Sequence, residues 1–289
     1  MESAIAIVQT PTEEFHRRSG FKDIKNIKQS EKPAFLRYCR KHTSSLPSDC
    51  KPWKISDITL LSHGRFAIVD TANTRLKIFT PDFVHVTSKI ISDDSHSLTG
   101  LQEDKIFVMD NTLVSYYLFS EGRLSLEERF ELTGMHYDIL SDGNVLFLIK
   151  LTTLDVRNDQ FETLKTIDFK PTLGYTPDTL RFDKNENIIF FNCDTFSIVS
   201  WDKFQAEKWR INDVDSCISI HNYGLGWILV GFEDVMFVDL RGRTSVQFIG
   251  DPEIEDYRCS VIDCERNKLF LSDKRNVYEY DLEVQNVMK

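Results

Sequence analysis

The chain has 289 residues, 41% of them hydrophobic and 28% charged, with a formal net charge of −10. That balance excludes a chain disordered over most of its length, and no apolar run approaches the ~18 residues of a membrane-spanning helix. Six cysteines are too few for a disulfide scaffold and no Asn-x-Ser/Thr acceptor occurs, so the expected location is cytoplasmic, with reduced thiols.

The charge is uneven. Residues 1–54 hold 11 Lys/Arg against 6 Asp/Glu, and the remaining residues hold 24 against 39. This break marks a boundary between a basic leader or linker, residues 1–50, and a domain over residues 51–289. In the leader, Ala4–Val8 is too short for a signal peptide. Thr10-Pro11-Thr12-Glu13 is a capping box that predicts a short helix through Arg18, and Ser30–Pro33 predicts another through Tyr38. Both are too short to persist alone, so the leader is read as partly helical or mobile. The competing reading is that part of it closes a ring of blades.

From residue 55 on, one phrase recurs, and its second strand is the clearest marker. It reads Phe66–Val69, Ile106–Met109, Val145–Leu148, Ile188–Phe191, Ile228–Val230 and Leu269–Leu271, in steps of 40, 39, 43, 40 and 41 residues. Gly-, Asn- and Asp-bearing turns precede these runs, as tight hairpins require. Continuous apolar runs fit strands buried on both faces. Four strands per ~40 residues, six times over, predicts an all-β fold, a six-bladed β-propeller. Its last strand is sought at Val284–Val287 or in the leader.

His63-Gly64-Arg65-Phe66-Ala67-Ile68-Val69-Asp70-Thr71-Ala72-Asn73-Thr74-Arg75-Leu76-Lys77-Ile78-Phe79 resembles the NHL repeat, and Leu269–Tyr278 carries part of it. With the preceding Leu46–Ile58, the region resembles the C-terminal propeller of invertebrate tripartite-motif-like proteins. There, a zinc RING and B-boxes precede a propeller that selects partners. No C-x2-C pair is present here, so the resemblance implies only the recruiting half of that role: a non-catalytic protein-interaction module without cofactors.

Asp70 and Asn73 are expected to fix the turn between strands, and Arg75 to pair with a carboxylate of a neighbouring blade. Cys217, His221, Cys259 and Cys264 are read as core residues, because residues four apart in a strand are too distant to share a zinc. No nucleophile, P-loop or dinucleotide motif occurs. Asp57, Asp138 and Asp178 start the innermost strands of three blades and would converge on the central channel. This supports the alternative of a metal-dependent, lactonase-like hydrolase. A second alternative, RNA binding, is disfavoured by the net −15 of residues 55–289. The loops that carry Asp213, Asp215, Glu233, Asp234 and Asp251 share one acidic face, the expected docking site for a protein partner with a basic segment.

Overall fold

A computed structural model of the chain describes residues 36–43 and 46–283, apart from 135, 143, 170–172, 174–176, 178, 183–186, 203–205, 215, 225, 233, 240–241, 243 and 249–256. The expected helix over residues 10–18 and the candidate strand Val284–Val287 lie outside the described residues. Six antiparallel four-stranded sheets make up the fold, a six-bladed β-propeller. The innermost strands are Ile55–Leu60, Ser97–Leu101, His136–Ser141, Leu180–Phe182, Ser219–Tyr223 and Cys259–Asp263. The six apolar runs form the second strands: Phe66–Asp70, Lys105–Met109, Leu146–Lys150, Ile188–Asn192, Gly226–Val230 and Lys268–Ser272. Among the described residues no helix is long and apolar enough to cross a membrane.

The continuous apolar runs have a direct physical cause. Side chains of a strand alternate between its two faces, and each blade is covered on both. Phe66 and Ile68 pack towards blade six, whereas Ala67 and Val69 pack towards blade two. Ile106 and Val108 meet blade one, and Phe107 and Met109 meet blade three. The same division continues round the ring, so each junction between adjacent blades has its own apolar cluster. Complete burial of one such side chain contributes about 1.5–3 kcal/mol.

The turns after the second strands repeat one chemistry. Asp70, Asp110, Asn192 and Asp273 each accept backbone N–H groups two or three residues ahead with a side-chain oxygen. In blade one this turn also holds the incoming chain. Asn73 exchanges two hydrogen bonds with the backbone of Lys51. Lys77, fully buried, donates to Asp49 and Asp70 at 2.7 Å each and lies 5.2 Å from the Trp53 ring. Arg75 departs from expectation: its guanidinium donates to Ser88 within its own blade, at 3.1 Å.

The leader is likewise corrected. Leu36–Thr43 is a strand rather than the end of a helix, and it is the outermost strand of blade six, paired with Asn276–Leu282. Residues 36–43 of the leader thus belong to blade six, as in the competing reading that part of the leader closes the ring. A sheet edge exposes unpaired N–H and C=O groups, and this strand covers them on blade six. Its cations meet acids on its partner. Arg37 pairs with Asp281, and Arg40 Nε donates to Glu279 at 2.6 Å. His42 Nε2 donates to the same Glu279 at 2.9 Å, and Lys268 binds Glu279 at 3.0 Å and Asp281 at 2.5 Å. The His42 ring then stacks on Phe83 of blade one, at 3.9 Å.

Two outcomes test this seam. A chain lacking residues 1–45 should lose its cooperative thermal transition in circular dichroism, whereas one lacking only residues 1–34 should keep it. The second is acid dependence. Burial alone would raise Glu279, but hydrogen bonds from Arg40, His42 and Lys268 hold it down to about 2, against an ordinary 4.5. A depressed carboxyl stabilises the fold above its unfolded value. Its contribution should fade as pH drops from about 4.5 to about 2, and Glu279→Gln should flatten denaturant-derived stability across that window.

Candidate functional site

The innermost strands surround a cavity of about 400 Å³. Its lining is polar, because these strands present Ser, Thr, His and charged side chains to the axis. Bulges between Ile55 and Asp57 and between His136 and Asp138 occur at the same point of blades one and three. A bulge re-aims a side chain, and here both aspartates line the cavity.

Ser97 of blade two links the two acids. Its hydroxyl donates to Asp138 Oδ1 and lies 3.5 Å from Asp57 Oδ2. Asp57 also accepts the N–H of Ile58 and Leu98, and Asp138 that of Ile139, all at 2.8 Å. Burial, and then the neighbouring Asp138 charge, push Asp57 up to about 7. Burial also raises Asp138.

Across the ring, Ser260 Oγ and His221 Nε2 share a hydrogen bond at 2.7 Å, and Ser260 Oγ also bonds Ser219 Oγ. Burial and Arg181 drive His221 down to about 3, so its ring is neutral. Arg181 of blade four lines the same cavity. Among the described residues its one hydrogen bond is from Nη1 to the carbonyl of Leu180, at 2.9 Å. The guanidinium forms no ion pair among the described residues, yet its charge acts on both Asp57 and Asp138. Arg258 stands exposed at the rim.

Two of the three convergent acids expected from sequence therefore do meet, while Asp178 lies outside the described residues. A guanidinium shares their cavity and backbone N–H groups occupy three of their oxygens. Among the described residues no group of three or more His, Cys, Asp or Glu is placed to hold a metal ion. Cys217 and Cys259 are buried, with thiols pushed well up by burial, Cys217 to about 12. Cys264 is exposed and His221 opens on the cavity, so neither is the core residue expected.

Asp57, Ser97, Asp138, Arg181, Ser219 and Ser260 stand near the starts of the innermost strands, so the cavity lies towards the face formed by the loops between blades and the turns between second and third strands. Of the residues expected to form an acidic docking site, Asp213 is exposed there. Asp234 is buried, and its carboxylate fills the space that a Cβ on Gly231 would need. It contributes field rather than contact. Asp215, Glu233 and Asp251 lie outside the described residues. Two features escaped the sequence: Phe196 and Phe232 are exposed by 43% and 44% on this face. The loop between blades four and five joins them. Val214 N–H donates to the carbonyl of Phe196, and Phe232 N–H to Ser216 Oγ.

No protein-family model matches the chain, and no curated protein matches it in sequence. Solved structures do resemble its fold. Selenomethionine-substituted virginiamycin B lyase from Staphylococcus aureus superposes with a TM-score of 0.64 at 9% identity, covering 86% of this chain and 99% of the lyase. A catalytically inactive histidine-to-alanine variant of that lyase, with quinupristin, gives 0.58 at 11% identity, covering 82% and 83%. At these identities the likeness shows the propeller fold alone.

The paired acids make one prediction. A carbon-13 carboxyl titration should find Asp57 changing near pH 7. Asp138→Asn removes the repelling charge, so the Asp57 midpoint should fall towards, but not to, the ordinary 3.8, because burial remains. An unmoved midpoint would show that the two carboxyls do not interact.

Proposed function

We propose that the chain is a non-catalytic recognition propeller, similar in role to the partner-selecting NHL propellers, and that it docks a protein segment both basic and apolar. The carrying observation is the patch over blades four and five, where exposed Phe196 and Phe232 flank the loop bearing Asp213. Single exposed apolar residues are ordinary. Two phenylalanines bonded to one loop, beside exposed Asp194 and Asp213, supply the aromatic anchors and charged rim of a binding surface. Acidic loops speed the approach of a basic partner and lose that advantage with salt.

The channel chemistry supports a non-catalytic role. A general base works best with a pKa near the operating pH; His221, at about 3, is far below it, and Asp57, at about 7, already accepts backbone N–H groups on both carboxylate oxygens. Asp138 likewise accepts the N–H of Ile139, on Oδ1. The acidic net charge of residues 55–289 opposes a polyanionic ligand.

Peptides selected by this protein from a random displayed library should combine Lys or Arg with apolar residues. Their affinity should fall ~10-fold or more for the Phe196→Ala/Phe232→Ala protein, and Asp213→Lys should slow association mainly at low salt. Enrichment of acidic peptides, or binding indifferent to the phenylalanines, would overturn the reading.

A further inference from the structure

The central cavity presents opposite charges with open bonding capacity. Arg181 uses one of its five N–H donors on Leu180. Asp138 receives its hydrogen bonds on Oδ1, which leaves Oδ2 to the cavity. Among the described residues neither group has a further hydrogen-bond or ion-pair partner, although the guanidinium charge acts on Asp57 and Asp138. The lining arginines, Arg181 and Arg258, equal the lining aspartates, Asp57 and Asp138, in number. A purely anionic ligand would meet the two carboxylates and the acidic loops around the mouth. A purely cationic one would meet two guanidinium groups. A ligand carrying both charges satisfies both poles and suffers neither repulsion. About 400 Å³ is within the range of small-molecule sites, ~300–1,000 Å³, and Ser97, Ser219 and Ser260 add hydroxyls around it.

We propose that this cavity binds a small aminocarboxylate zwitterion, its carboxylate on Arg181 and its ammonium on Asp138. The site is separate from the Phe196 and Phe232 patch and does not depend on it. Arg181 offers a planar fork suited to a carboxylate. Asp138 is oriented by Ser97 and the Ile139 N–H, so little side-chain entropy remains to be lost on binding.

Calorimetry and thermal shift with glycine, 4-aminobutyrate and 6-aminohexanoate would test this, because the three differ in the separation of their charges. At least one should bind saturably, with a Kd below ~10 mM, and should do so ~10-fold or more tightly than acetate or propylammonium. Arg181→Gln and Asp138→Asn should each remove that preference, and Phe196→Ala/Phe232→Ala should leave it intact. The proposal is overturned if no aminocarboxylate binds at ~10 mM, or if acetate or propylammonium alone binds the native protein as well as the best of the series. Because that comparison uses the native protein, it decides the matter even where a variant fails to fold.

Discussion

Everything in this fold depends on the pairing of Leu36–Thr43 with Asn276–Leu282. Five blades are built from consecutive strands, and only the sixth joins distant parts of the chain. Without that pairing blade six would lack its fourth strand. The cross-strand charges make the pairing specific: Glu279 answers Arg40, His42 and Lys268, and Asp281 answers Arg37 and Lys268. Each bond at an exposed surface would be weak. Glu279 is only 5% exposed, so losing its partners would strand a buried charge, at a cost of about 3–5 kcal/mol.

The same ring geometry separates stability from recognition. Apolar side chains of the second strands divide between two blade junctions, and buried polar residues such as Asp70, Asn192 and Ser272 stand at the strand ends. The innermost strands cannot do so, because one side of them faces an axis that six blades only partly fill. Polar residues collect at that axis and satisfy one another through Ser97, Ser219 and Ser260. The large apolar cores hold the walls, and the walls fix the spacing of the axial charges. The tightly bonded turn at Asp70 and Asn73 shows how far this fastening extends, since it also secures residues 49–54 against blade one.

Much of this was legible in the sequence, for physical reasons. A strand covered on both faces has to be apolar throughout, so the six runs betrayed six blades. Asp and Asn at fixed distance from those runs marked the turns. The seam was legible only as the alternative that part of the leader closes the ring, because Leu36–Thr43 is polar and charged and exposes most of its residues. A strand that earns its place by cross-strand charge carries no hydrophobic alternation. The axial site was half legible. Asp57 and Asp138 stood at equivalent points, whereas Arg181 sits within a strand of only three residues, Leu180–Phe182, with nothing in its surroundings to single it out. Phe196 and Phe232 carry no sequence mark that separates them from the chain's other phenylalanines, and only the fold shows them at turns.

The seam also sets an order of events during synthesis. Arg37 and its partner Asp281 are 244 residues apart. At ~5–20 residues per second, the ribosome needs about 10–50 s to supply the partner after the first strand has emerged. Five blades can assemble in that interval from local hairpins, whereas Leu36–Thr43 has no sheet to join. A nascent chain thus carries an unpaired, cation-rich strand until its final hairpin is made. Its Arg37, Arg40 and Lys41 are charges of the kind that discourage edge-to-edge association, so the residues that later lock the ring also protect it from the wrong partners while it is incomplete.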